Sequence, residues 1–349
     1  SHTAVFGGTA GIVTVSDGIT ASGLKFDVDS YTLTGGSIVL MDPITPIIDI
    51  KNSGQKATIA SSISGVAGLE KTGAGTLVLS ANNTYSGGTL VSNGILMIGD
   101  GGSTGALGGG EVTNHGEMVF NRTGNFSVST TIGGSGKLTK DGSGTMTLLG
   151  VNDYSGETTI RNGKMLVDGT ATQSAFTVND GGILGGSGSI GDLTVQSGGK
   201  VSPGNSSGIL ATGNLVMQLG STLECEINGA NPGTGYDQFQ VSGSVTLSGT
   251  LALTINSVPM NGDMVFILLN DGNDPIQGAF HNVANNSTVN ISGMDYEISY
   301  FANSATMSMT GGNDIAIQAV PEPTTALLAG LACLTLAARR RRFPLHAQL

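Results

Sequence analysis

Two pairs of carboxylates carry a spacing that glycoside chemistry could use. Asp27 with Asp29, and Glu224 with Glu226, are each separated by one residue, so on an extended strand both members face one side about 7 Å apart. Glycosidases hold two carboxyl groups roughly 5–10 Å apart, and either pair satisfies that distance. Two solvent-facing acids on a strand give the same pattern, and no Lys or Arg cluster stands beside them to act as a lyase base. The histidines, His2, His115, His281 and His346, are scattered without metal-ligand spacing or a nucleophile beside them, and His115 in Thr-Asn-His-Gly reads as a turn. The run Asn270-Asp271-Gly272-Asn273-Asp274 is rich in oxygen ligands. It lacks the remaining positions of a calcium loop, so it too reads as a turn. No GxSxG, Walker loop or GxGxxG stands in a strand–helix context, because the Gly-rich stretches all read as strand–turn–strand. No metal and no cofactor is expected.

Whatever positions these residues must be built from short strands. Glycine accounts for 57 of 349 residues, Trp is absent and charged residues make up only 11%, a balance that suits many tight turns and argues against a helical protein. The chain is long enough to form a large core without disulfides or a metal. Cys225 lies in a strand-like segment and Cys333 in an apolar run, with no CxxC spacing. Net charge is −11, but residues 1–320 hold 10 basic and 24 acidic side chains, because four of the basic ones are Arg339–Arg342. An acidic body of this kind repels nucleic acid and anionic lipid. Neither is expected as a partner.

An internal repeat organises the first half. Residues 69–98 (LEKTGAGTLVLSANNTYSGGTLVSNGILMI) align without a gap on residues 138–167 (LTKDGSGTMTLLGVNDYSGETTIRNGKMLV), with 13 of 30 positions identical. The identities include Lys71/Lys140, Gly73/Gly142, Asn83/Asn152, Tyr85/Tyr154, Thr89/Thr158, Asn93/Asn162 and Gly94/Gly163. The positions between them stay apolar while changing identity. A solenoid demands this division, with fixed corners and interchangeable residues stacked inside. If the 69-residue offset spans three coils, each coil holds about 23 residues. Similar units occur at Gly11–Val15, Tyr31–Gly36 and Gly181–Gly188, and after about residue 215 the strands lengthen, as where an open solenoid edge is covered.

The motif G-x-G-T-[LM]-x-L, N-x-Y-S-G-x-T, N-G, standing at Gly73–Gly94 and Gly142–Gly163, resembles the autotransporter-associated β-strand repeat family. Gly185–Ile190 with Ser202–Ser206, Leu223–Asn228 and Tyr236–Phe239 resemble the C-terminal passenger segments of such proteins. The resemblance implies a parallel β-helix and surface exposure, and it implies no activity. Nothing after residue 270 is long enough for the membrane β-barrel that ends classical members.

The C-terminus instead reads Val320-Pro321-Glu322-Pro323, an apolar run Thr324–Ala338, then Arg339, Arg340, Arg341 and Arg342. This order resembles a PEP-CTERM sorting signal, which implies an exosortase-like membrane protease or transpeptidase as partner. Pro321, Glu322 and Pro323 would be the recognised motif. The four arginines would be the cytoplasmic stop under the positive-inside rule, with transient inner-membrane insertion of 324–338 as a short helix. An ordinary anchor or a buried helix is the simpler alternative for the run.

The expected architecture is therefore all-β: a right-handed parallel β-helix over 1–214, a β-rich C-terminal cap over 215–319 and a sorting tail with a short transmembrane helix over 320–349. The start Ser-His-Thr-Ala-Val-Phe-Gly-Gly looks like mid-domain strand, so an export signal is expected upstream. The expected function is that of a non-enzymatic surface or extracellular-matrix protein of a Gram-negative-type bacterium, with exopolysaccharide contacted through polar ladders. A polysaccharide-active β-helix enzyme and a surface adhesin are the alternatives.

Overall fold

A computed structural model describes residues 2–41, 45–257, 263–291 and 293–320. Pro321, Glu322, Pro323, the run 324–338 and Arg339–Arg342 lie outside the described residues, as does His346. Among the described residues there are 38 strands and no helix, so none is long and apolar enough to cross a membrane.

The strands stack as a parallel solenoid with three faces. One face is a continuous 13-stranded sheet running from Ile12–Val15 to Gln277–Gly278. A second begins as a seven-stranded sheet from Thr3–Phe6 to Ile132–Gly133 and resumes at Thr170–Ala171. Residues 151–155 bridge the interruption, with Asp153 N–H donating to Ile132 O at 3.1 Å and Val151 paired with Thr170. The third face starts with Ile19–Ala21, Ser37–Leu40 and Ser62–Gly65 and continues, after short bridged segments, as a seven-stranded sheet from Phe126–Val128 to Thr250–Ile255.

Most strands alternate buried and half-exposed residues, as at Tyr31–Gly35 and Thr222–Ile227, so every second side chain enters the core. Parallel pairing without stagger then places like beside like. On the 13-stranded face Leu33, Ile59, Leu79, Ile98 and Phe120 are successive partners in one inward column. Beyond Lys140 the column resumes with Ile160, Val178, Val195, Met217 and Leu247. This is the interchangeable apolar stack that the repeat implied. Its single charged member was not expected.

Coil length varies, with 20 residues from Leu69 to Thr89, 23 from there to Val112 and 20 on to Ile132, and the offset is not three coils. Thr76 pairs with Ile95 and Glu117 with Lys137, so a coil in this region takes about 20 residues. From Leu69 the chain passes three full turns through partners at Thr89, Val112 and Ile132. Leu138, the equivalent of Leu69, comes six residues later, on the next face. The second copy is thus rotated by one face relative to the first: Thr76–Leu79 lies in the 13-stranded sheet and its equivalent Thr145–Leu148 in the seven-stranded sheet of the third face.

Later coils are wider. Leu215 pairs with Val245 and Thr246 with Gln277. At the C-terminal end parallel pairing gives way to antiparallel: Met264–Asn270 pairs with Asp314–Ala319, which pairs with Met294–Ala302, which pairs with Thr288–Ile291. This antiparallel sheet covers the edge of one face, with irregularities between Phe266 and Leu268 and between Ser299 and Ala302.

Candidate functional site

The shared residues of the repeat build the solenoid from inside. Lys71 and Lys140 are fully buried. Lys71 stands in an inward column between Ile48 and Val91, and Lys140 between Phe120 and Ile160. Each ammonium turns to a corner where carbonyls leave the sheet ladder. Lys71 Nζ donates to Thr72 O at 2.7 Å, Gly73 O at 2.9 Å and Asn93 O at 3.2 Å. Lys140 Nζ donates to Gly142 O and, at 3.0 Å, to Asn162 O. The acceptors are repeat equivalents, so one device serves two different faces. Burial pushes both lysines down to about 8, opposed by Asp49 for Lys71 and by Asp141 for Lys140.

The asparagines do the same on a different face in each copy. Asn83 Oδ1 accepts Ile63 N–H at 2.8 Å, while its Nδ2 donates to Ala106 O at 2.7 Å and Ala81 O at 3.3 Å. Asn152 Oδ1 accepts Ile132 N–H at 3.0 Å, and its Nδ2 donates to Gly150 O at 2.8 Å and Thr170 O at 3.1 Å. Each amide therefore ties its own coil to the one before and the one after, where regular pairing lapses. Tyr85 and Tyr154 are fully buried, with hydroxyls 2.7 Å from Thr89 Oγ1 and Thr158 Oγ1. Gly94 and Gly163 turn the corner at φ of 71° and 69°, where a side chain would be strained.

Three of the four acids with catalytic spacing already have partners. Asp27 pairs with Lys25 at 3.1 Å, and Asp29 accepts Lys56 N–H at 2.7 Å and Ser30 Oγ–H at 2.8 Å. Those hydrogen bonds hold the Asp29 carboxyl below its ordinary value. Glu224 and Glu226 do share the outer side of strand Thr222–Ile227, but Glu224 is bound to Lys200 at 2.8 Å. The carboxyl raised furthest is Asp237, to about 7, by burial. It is sealed from solvent and accepts Gly208 N–H at 3.0 Å and Glu226 N–H at 2.9 Å, so it meets no substrate. His115 is exposed beside Ser135 Oγ at 3.2 Å, and His2 and His281 are exposed elsewhere. Among the described residues no group of three His, Cys, Asp or Glu is placed to hold a metal.

Period-2 reading of Leu69-Glu70-Lys71 and Leu138-Thr139-Lys140 would have found the buried lysines, because each shares a strand side with a core leucine. Their charge concealed them.

The family model of the passenger-associated-transport-repeat matches residues 69–98 and again 138–167. The chain carries two such repeats. It is also similar to the adhesin BmaC autotransporter of Brucella suis biovar 1 (strain 1330), with 38% identity over 156 residues, covering 42% of this chain and 4% of that protein. A second relative is an extracellular serine protease of Serratia marcescens, 36% identical over 102 residues that cover 29% of this chain and 10% of the protease. The chain thus spans a small part of the length of either relative.

Proposed function

We propose that this chain is an exported, non-enzymatic solenoid that serves as a structural component of the cell surface or extracellular matrix. The observation that carries the reading is where the repeat spends its shared side chains. Lys, Asn, Tyr and Thr are buried to hold corners and join coils, and the two copies face different ways round the axis. A ligand ladder would need like residues outside on one face. The repeat therefore specifies shape, and the expectation of a repeated polar ladder for exopolysaccharide finds no support in it.

Export is supported by the two relatives, one named an autotransporter adhesin and the other an extracellular protease. The sorting route rests on the tail. Pro321-Glu322-Pro323, the apolar run and Arg339–Arg342 follow one another in the order that an exosortase-like enzyme would read, with 324–338 held briefly in the inner membrane. Against a polysaccharide lyase or hydrolase stand the existing engagements of the paired acids with Lys25, Lys56 and Lys200.

The test is intact mass and fractionation of the full-length protein in its native host, beside a variant with Pro321→Ala and Pro323→Ala. The wild type should lose its C-terminal segment and reach the surface or medium, while the variant stays in the inner membrane. If both keep residues 324–349 and fractionate alike, the sorting route is wrong.

A further inference from the structure

The C-terminal end of the solenoid contains a cleft that the repeat architecture does not need. It has a volume of about 650 Å³ and lies between the wide coils and the antiparallel cap, within the few hundred to one thousand Å³ common for small-molecule sites. Its floor comes from strands Ile209–Thr212, Gln238–Val241 and Met264–Asn270, and its wall from residues 303–305 and 311–314.

The wall is held rigidly. Asp314 Oδ1 accepts Asn270 N–H at 3.0 Å and Oδ2 accepts Ser304 N–H at 2.8 Å, so this carboxylate ties the cap to the floor. Asn313 Nδ2 donates to Asp271 O at 3.2 Å and Asp274 O at 3.0 Å, fixing the loop on the opposite rim. One lining group is left over. Asn270 is only 6% exposed, and its Nδ2 donates to Asp274 O at 2.9 Å, yet its Oδ1 has no hydrogen-bond partner. That oxygen is closed to solvent, so the groups a ligand meets are the exposed ones, Gln240 and Asn273 among them.

We propose that this cleft binds an uncharged carbohydrate, of one or two sugar units. The lining chemistry selects that class. Gln240 and Asn273 offer exposed amides that can both donate and accept, as sugar hydroxyls require, while Ser242 Oγ already donates to Thr212 O and Asn303 is engaged with Gly311 O and Thr306 N–H. Ala211 and Leu269, both half-buried, provide apolar surface for the C–H face of a ring. The lining contains no Lys or Arg, while Asp271 and Asp314 bring negative charge, so phosphates, carboxylates and uronic acids are repelled. A metal is not favoured, because both Asp314 oxygens are already committed and the Asp271 and Asp274 carbonyls face Asn313. The site is independent of how the tail is processed.

The test is saturation-transfer NMR on the full chain with cellobiose, maltose and diacetylchitobiose as neutral probes, digalacturonate as the anionic probe and calcium chloride as the metal probe. At least one neutral disaccharide should bind at about 10 mM or below, and digalacturonate should not. Gln240→Trp, at an exposed position of the cleft, should weaken binding more than tenfold with near-UV circular dichroism unchanged. Asn273→Ala, at an exposed rim position, should weaken it severalfold. The proposal is overturned if no neutral probe binds, if Gln240→Trp binds as well as wild type, if digalacturonate binds equally, or if calcium alone raises the melting temperature.

Discussion

Replacing Asn152 by Leu removes one amide from the core while keeping the branched shape and the number of heavy atoms, so the loss is not that of a cavity. Asn152 satisfies Ile132 N–H and donates to Gly150 O and Thr170 O. Gly150 O still accepts Thr170 N–H, and Thr170 O still accepts Asn152 N–H, so neither carbonyl is orphaned. Ile132 N–H is left facing an isobutyl group, at about 1–3 kcal/mol, and the two lost amide donations add about 0.5–1 kcal/mol each. The gain in apolar burial returns about 1 kcal/mol, leaving a net destabilisation of about 1–4 kcal/mol. Because coils contact only their neighbours, the effect should be local. Hydrogen exchange read by mass spectrometry should show protection falling about 5- to 1,000-fold around residues 131–134 and 150–171, with residues 200–255 unchanged. Asn83→Leu should do the same around residues 62–65 and 104–107, and the two losses should add. Protection within threefold of wild type for both variants would refute the claim that these amides hold the coils together.

The buried lysines give a pH signature with a definite sign. Their pKa is about 8 when folded against 10.5 ordinarily, so the unfolded chain holds more protons between those values and stability should rise as pH goes from about 8 to 10.5. Urea titrations should show the rise, and Lys71→Met with Lys140→Met should flatten it while lowering stability at pH 7, since corner carbonyls lose their donor. Asp237 works the other way: its pKa is about 7 when folded against 3.8 ordinarily, so its contribution is full below about pH 4 and is lost as pH rises towards 7. Asp237→Asn should remove that decline in the same titration. A Cβ on Gly108 would fall on the carbonyl and ring of Tyr85, so Gly108→Ala should cost about 2 kcal/mol or more by thermal unfolding, whereas Gly7→Ala, with open space around it, should cost less than about 0.5 kcal/mol.

The sequence by itself determined that this chain is all-β, that its strands are short and that successive units stack. Alternating apolar residues and glycine corners are local signals, and the gapless match between residues 69–98 and 138–167 requires that the two stretches adopt one conformation. It also determined that the acids and histidines carry no compact motif. What only the tertiary structure decided was which faces the copies occupy, because that depends on the sum of intervening coil lengths. Coil lengths of 20, 23 and 20 residues in place of about 23 turn three whole coils into three and one more face, and move Leu138 away from the column of Leu69. Lys71 and Lys140 became core residues for a related reason. The carbonyls that accept their protons come partly from the next coil, from Asn93 and Asn162, and a partner 22 residues away is invisible to any local pattern. The cleft lies furthest from what sequence can show. Asn270 and Asp314 are 44 residues apart, and only the change from parallel to antiparallel pairing brings the floor and the wall together there.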